Sequence, residues 1–523
     1  MTERDLRSEL LNTLLITPHR DFAELYPIHQ QMITQDPLFY MHMAAWYADH
    51  GQVRDHKEIF VVMLSLSNFE GHRDVGLALL RELPPYEVAR VVDFIKGSVV
   101  KRRKPKARQG RSGKQEYETV SKNVGLSRNV PRSMRTEIIR YLREREEDPK
   151  RFDRTVLVAR RSLKRLYAGL HITPSTRAQA ILFEDNPPRD SLAFIVKQIA
   201  RARTPAEQAR AIVEYRIPYR VASAMIKEMS PMVLAALIEV MTPQEVINNI
   251  ASLKKHGAFN NPDIKALVDA KLSEAKSDKR VSAYKAKVAV EAAGAQGELA
   301  EALEAVTEAQ VKSKGKITRS TALLIDKSGS MTVAINIGLQ LGAMISAICE
   351  ADLFTYAFDS VAYPIEPKRH ANLIQRVLER GSDAQEPPQL SLADWEKALS
   401  GINAGGNTSC GIAIDRMRQK QQRVEQIVMV TDEGENTAPR FKDAYQAYAA
   451  ELKVNPAIIL VKVGQATNLL EIACAELGVA PQVFEFRGDY YALPNVIPLL
   501  TYPSLTEMVM EVLDYPLPKR KPA

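Results

Sequence analysis

Asp326-Lys327-Ser328-Gly329-Ser330 follows the apolar run Thr321-ALLI without a break. In an extended segment alternate side chains share one side, so Asp326, Ser328 and Ser330 converge above the end of that run. One carboxylate and two hydroxyls form a hard-oxygen donor set, suited to Mg²⁺ or Mn²⁺ and not to Zn²⁺. Two further loops carry matching groups. Gly405-Gly406-Asn407-Thr408-Ser409 has glycines that let the backbone approach closely, and Thr431-Asp432-Glu433-Gly434 follows the strand-like run Gln426-IVMV. Together the loops offer Asp326, Ser328, Ser330, Thr408 and Asp432, leaving an octahedral position for water or a partner's carboxylate. A polar strand-to-helix turn with an N-cap would explain the first loop alone. Three loops at the ends of strands are more specific than that.

Catalytic patterns are lacking. None of the nine histidines sits in an HExxH motif or a Cys/His ligand spacing, and the chain has no Walker A loop and no GxSxG elbow. Cys410 lies in the second loop, but no histidine is close in sequence, so it reads as a buried structural cysteine. The sequence therefore predicts a binding protein and no enzyme.

Basic residues supply the second candidate chemistry. Arg160, Arg161, Lys164 and Arg165 include pairs three and four residues apart, so several share one helical face. His171 follows just before the helix-stopping Pro174, and Arg177 stands beyond it. Such a face neutralises phosphates and releases counterions, which predicts binding that weakens steeply with salt. The bland alternative pairs these cations with Glu144, Glu146 and Glu147. Lys254, Lys255 and His256, with Asn248 and Asn249, form a second candidate, equally consistent with an ordinary helix end. Lys101-RRKPKARQGRSGKQ is dense in Lys and Arg and has almost no apolar residue, so it is expected to be a mobile loop and a candidate electrostatic arm.

These residues need elements to hold them. From Leu6 to about Glu308 the apolar spacing is helical. Thr204-Pro205, Ser230-Pro231 and Thr242-Pro243 each place a hydroxyl at an N-cap and a proline at the first helical position. Many helices of roughly 10–15 residues predict an α-solenoid of antiparallel helix pairs. After Ile317 the pattern changes: strand-like runs at Thr321, Leu353, Gln426, Ala457 and Val483 alternate with helical ones. That alternation predicts a doubly wound α/β domain. The expected domains are residues 1–315 and 316–523.

The chain has 523 residues, a net charge of +8 and a mean hydropathy of −0.22. From Lys316 onward 20 basic residues stand against 24 acidic ones, so the positive excess lies wholly in the first 315. A basic body points to a polyanionic partner. Three cysteines cannot form a disulfide framework, which suggests a reducing compartment. No signal-like h-region and no membrane-length apolar run is present, so the expected location is cytoplasmic.

The C-terminal part resembles a von Willebrand factor A domain with an intact metal-ion-dependent adhesion site, and the five loop residues match that family's metal ligands. The arrangement of both parts resembles the Ro autoantigen family, whose helical TROVE module is a ring of HEAT-like helix pairs. Stretches carrying the likeness are 36–51, 130–142, Leu163-KRLYAGLHITPS, Met241-TPQEVINNIASLKKHGAF and 284–306 before Asp326-KSGS. There are departures: the segment around Leu163 is shorter than the family's Gly-Trp-Ser-His stretch, Thr173 replaces a frequent lysine, and the second loop reads GGNTSC for GGTDC. The resemblance implies a monomeric protein that binds Y RNA-like small noncoding RNA and single-stranded 3′ ends of misfolded or structured RNA, for RNA quality control or degradation. It also implies an exoribonuclease or other protein docking at the A domain, with the metal completing its coordination on a carboxylate and catalysing nothing. Two other readings stand beside it: an adaptor that grips an acidic protein through Mg²⁺, and an accessory of an AAA+ machine.

Overall fold

The computed structural model describes residues 22–51, 54–105, 117–202, 204–226, 228–333, 335–367, 391–464, 466–486, 497, 500 and 505–520. These residues fold into two compact units.

The first unit runs to Val240 and takes in the last residues from Val509. It is built from helices whose starts are written in the sequence. Asp36 caps Pro37–His50 through Phe39 N–H at 3.1 Å, and Thr204 closes a capping box with Glu207 at the head of Pro205–Tyr215. Pro84 stands between His72–Glu82 and Pro85–Lys96, where the chain must turn. Apolar side chains such as Phe39, Phe60, Leu64, Leu80, Val88 and Leu163 form the core. The C-terminal residues are tied in by polar contacts: Trp46 Nε1 donates to Glu511 at 2.9 Å, and Arg520 Nε donates to the fully buried Glu137 at 2.9 Å. Arg81 holds the other oxygen of Glu137 at 2.8 Å. Removing either arginine would leave a buried carboxylate short of a partner.

The basic segment departs from expectation. Lys101–Pro105 is not loop; it ends strand β1 (Ser98–Pro105), which pairs antiparallel with β2 (Tyr117–Val124), Lys101 opposite Ser121. A ladder needs only backbone N–H and C=O groups, so the lack of apolar side chains removes packing without removing pairing. The ribbon's base is fixed by Leu126 N–H and Arg128 N–H on the carbonyls of Phe94 and Ile95, both at 2.8 Å. Residues 106–114 of the expected arm lie outside the described residues.

A polar cluster sits inside this unit. His29 donates or accepts at 2.8 Å with the Tyr40 hydroxyl and at 2.9 Å with His56, and both imidazoles are fully buried. Burial first, then the neighbouring His56, holds His29 well below the usual histidine range. The folded state thus resists a proton that the unfolded chain accepts below about pH 6.5. Stability is expected to be constant above that pH and to fall below it by up to about 1.4 kcal/mol per pH unit for this one group. Thermal melts of the wild type and of His29→Gln between pH 7 and 5 check this: the variant should lose part of the acid slope.

The second unit, Met241–Met508, begins with four helices, Pro243–Lys255, Pro262–Ala275, Ala283–Ala292 and Glu298–Lys312, and continues into a sheet. The first of them starts with the expected capping box, Thr242 with Glu245. The strands are β3 (Thr321–Asp326), β4 (Leu353–Phe358), β5 (Ala362–Pro364), β6 (Gln426–Thr431), β7 (Ala457–Val463) and β8 (Gln482–Phe486). Their order is β5-β4-β3-β6-β7-β8, parallel except for the short edge strand β5. Every residue of β3 and β6 is buried, which is why these strands read as unbroken apolar runs. Ile335–Ile348 covers one face near Ile325 and Val430, and Met417, Phe441, Tyr445 and Tyr448 cover the other. The change from helices to alternating strands falls between Lys312 and Thr321, whereas the packing divide falls at Val240–Met241.

A candidate metal centre and two basic faces

The chain passes from β3 to one side of the sheet and returns through β6 to the other, so the strand order reverses between them. Ligands of open α/β sheets bind in the crevice at such a reversal, outside the carboxyl ends of the strands. Asp326 ends β3 and Asp432 follows β6, so both stand at the carboxyl ends of these neighbouring strands.

The three loops are laced together by main-chain bonds. Gly405 N–H donates to Lys327 O at 2.7 Å, and Gly329 N–H to Gly406 O at 3.0 Å. Gly406 sits at φ +89°, and a side chain there would lie 3.1 Å from the Asp359 carboxylate. The glycine is required on both counts. Asn436 and Thr437 N–H groups donate to Thr408 O at 3.0 and 2.9 Å, while Thr408 N–H donates to Asn436 Oδ1 at 2.9 Å.

Within this frame Asp326 Oδ1 accepts from Ser328 N–H at 2.8 Å and Oδ2 from the Thr431 hydroxyl at 2.6 Å. The Ser328 and Ser330 hydroxyls are 3.1 Å apart. Gly434 stands beside both Asp432 and Ser330: a β-carbon on it would be 3.1 Å from Asp432 Oδ1 and 3.8 Å from Ser330 Oγ. Asp326, Ser328, Ser330 and Asp432 are therefore brought into one cup, and Thr408, buried at its rim, is locked to the third loop through its backbone. Burial raises the Asp326 carboxyl above its ordinary range, Thr431 and Ser328 oppose this, and Asp432 adds to the rise. Two carboxylates sharing a desolvated cup with hydroxyl donors fit a hard divalent cation such as Mg²⁺ or Mn²⁺, which would neutralise their repulsion. A bound ion would supply a coordination position for an external carboxylate. Cys410 is buried, and burial followed by the charge of Asp326 pushes its thiol up, which disfavours the thiolate that nucleophilic attack needs.

Sequence reasoning passed over two neighbours. Asp359, one residue past β4, takes the Lys327 ammonium in an ion pair and is 6% exposed. Thr431 supplies the second hydrogen bond to Asp326. Both stand at strand ends, and that position was the available signal.

The basic residues on Pro149–Gly169 divide into two kinds. Arg160 donates to Ile181 O at 2.9 Å and pairs with Asp185 at 3.3 Å, and Arg165 pairs with Asp93. Arg161 is exposed, and Lys164 stands 5.6 Å over the Phe183 ring; among the described residues neither forms an ion pair. Of the three expected partners, Glu144 is engaged by Arg81 and Glu146 by Arg143 and Tyr167, while Glu147 is exposed. His171 is exposed at φ +51°, its carbonyl accepting from Arg135 at 3.3 Å. Arg177 clamps Asp153 with two bonds, at 3.1 and 2.7 Å, and is structural. In the second unit Lys254 donates to Ala293 O and Gly294 O at 2.9 Å, while Lys255 and His256 are exposed at the end of Pro243–Lys255.

A helical module joined to a doubly wound α/β domain with a three-loop oxygen cup defines the class: a HEAT-like helical array with a von Willebrand factor A-type domain. The chain matches no protein-family model and no curated protein. Its fold is similar to that of the Deinococcus radiodurans Ro (RSR) protein, with a TM-score of 0.57 and 15% identity over 90% of this chain and 92% of that one. The expected likeness to a bacterial Ro protein is borne out at the level of fold. Partial matches, each with a TM-score of 0.25, are to mussel byssus proximal thread matrix protein 1 (14% identity, 41% of this chain and 51% of that one) and to a von Willebrand factor type A protein from Catenulispora acidiphila (17%, 38% and 43%). Among the described residues no helix is long and apolar enough to cross a membrane.

Proposed function

We propose that this chain is a non-catalytic RNA-binding protein of the Ro type, taking small noncoding RNA and single-stranded RNA ends on its helical part. The observation that carries the reading is that the exposed Arg161 and the half-buried Lys164 on Pro149–Gly169 form no ion pair among the described residues, within a basic, Ro-like fold. Lysine and arginine without carboxylate partners are free to neutralise phosphates. The A-type domain serves separately, holding Mg²⁺ or Mn²⁺ on Asp326, Ser328, Ser330, Thr408 and Asp432 and docking a protein through an acidic side chain. An exoribonuclease is the partner that RNA quality control would require.

The purified native protein tests this cheaply. Co-purified RNA, seen as a high 260/280 absorbance ratio that falls after a high-salt wash, is the expected result. A nucleic-acid-free protein that still captures an acidic partner with Mg²⁺ would favour the adaptor reading, for which the three-loop cup is the supporting observation. The ribbon offers a second check. Changing Lys101, Arg102, Arg103 and Lys104 to Gln is expected to weaken RNA binding at low salt equally for all sequences, with thermal stability little changed. Titration of several unrelated RNAs against the variant measures both.

A further inference from the structure

Pro149–Gly169 is bent at Ala159, where φ is −132° and ψ 24°. The expected RNA face lies beyond that bend. The half before it presents Arg151, Arg154, Thr155 and Val158 at i, i+3, i+4 and i+7, which is one side of a helix. That side lines a hollow of about 460 Å³ together with Arg145, Arg216 and Pro85. A volume of this order suits a small organic ligand.

Four guanidiniums around one hollow repel one another unless an anion joins them. Among the described residues Arg151, Arg154 and Arg216 form no ion pair, and the glutamates on either side of Arg145 in sequence, Glu144 and Glu146, are taken by Arg81 and Arg143. Arg145 is held against its own helix: its guanidinium lies 3.4 Å from the Tyr141 ring centroid and donates to Tyr141 O at 2.9 Å. Burial first, and the nearby charge of Arg151 among the lesser causes, holds Arg145 below the ordinary arginine range. Arg216 ends Pro205–Tyr215 in a left-handed conformation, φ +50°, brought to the hollow by a backbone conformation that a non-glycine residue adopts at some cost. Beside the cations, Val158 is 66% exposed and the half-buried Pro84 and Pro218 add apolar surface. The hollow thus joins an unneutralised cationic wall to an apolar one.

We propose that this hollow takes a nucleotide end-on through its terminal phosphomonoester, with the sugar or base against Val158, Pro84 and Pro218. The proposal deepens the RNA-binding reading and rests on it. A terminal phosphomonoester carries about −1.5 to −2 charge at neutral pH and three acceptor oxygens, so it answers several guanidiniums at once. An internal phosphodiester carries one charge and answers fewer of them. The occupant is the phosphorylated end of a single strand, or a free nucleoside monophosphate of the same chemistry.

Binding of the full chain to one single-stranded RNA oligonucleotide, prepared with a 5′-phosphate, a 3′-phosphate or hydroxyls at both ends, tests the proposal. One phosphorylated form is expected to bind about tenfold tighter than the hydroxyl form. Which form does so identifies the end. A free nucleoside monophosphate should compete for that preference, and competition without any strand preference assigns the hollow to free nucleotide. Changing Arg151, Arg154 and Arg216 together to Gln should erase the preference; Arg154→Gln alone, at an exposed position, should halve it or more if the triple variant is unstable. Equal affinity of the three strands with no effect of nucleoside monophosphate overturns the proposal, as does a preference that survives the triple change in a folded protein. If all three strands bind equally with steep salt dependence, the RNA reading stands and this inference alone fails. If no strand binds while the monophosphate does, the RNA reading fails and the hollow remains a nucleotide site.

Discussion

Asp326→Ala is expected to weaken Mg²⁺ binding by about 100-fold or more, while RNA affinity stays within about twofold. Asp326 is the deepest group of the cup, fully buried and bonded to Ser328 N–H and the Thr431 hydroxyl. Its removal takes away one of two carboxylates and leaves those two donors without their acceptor. The second effect should cost about 1–3 kcal/mol of stability, read as a lower melting temperature of the second unit. Relief of repulsion from Asp432 offsets part of that cost. Asp326→Asn separates the terms, since the amide keeps an acceptor for Thr431 and loses the charge. Isothermal titration with Mg²⁺ and pull-down of protein partners with and without EDTA supply the readouts. Loss of RNA binding in a folded Asp326→Ala protein would put the metal in the RNA site and overturn the division of labour.

Arg161→Glu with Lys164→Glu is expected to lower affinity for structured RNA by roughly tenfold or more at moderate salt and to flatten the plot of log K against log[salt] by about two units. These two are chosen because they form no ion pair among the described residues, so reversing them breaks none and loses only the approach of Lys164 to the Phe183 ring. Arg160 and Arg165 differ. Reversal there sets glutamate against Asp185 and Asp93 and confounds binding with stability. The fourfold reversal should therefore bind still more weakly and also melt lower. An unchanged salt slope in the folded double variant would remove this face from the account.

What the sequence disclosed tracks how local each determinant is. The helix starts at Thr204 and Thr242 are decided within four residues and were legible, as were β3 and β6, whose full burial makes them unbroken apolar runs. Asp326 and Asp432 were legible because they stand at the ends of β3 and β6, which the sheet order sets side by side. Thr408 does not follow a strand as expected but lies between the helices Leu392–Leu399 and Ile412–Gln419, and its loop is joined to the other two by main-chain bonds. The ribbon of β1 and β2 was missed because apolar periodicity is blind to a ladder held by backbone groups; the β-branched Thr119, Val120 and Val124 were the signal. The partners of Arg160 and Arg165 lie far along the chain, at Asp185 and Asp93, and only tertiary packing selects them over the nearer glutamates. The arginine hollow has the same character. Its helical half is written in the spacing from Arg151 to Val158, but Arg216 arrives from another helix. The assignment of Pro243–Lys312 to the unit of the sheet is likewise a matter of packing, which helical periodicity does not encode.

One titration weighs the central claim most directly: the affinity of the full chain for a structured RNA with a single-stranded tail, measured across salt concentrations in Mg²⁺ and again in EDTA. The account predicts a steep fall of log K with log[salt], by about four units or more per decade, and the same curve with and without the metal. A flat salt dependence, or binding that vanishes in EDTA, would contradict it.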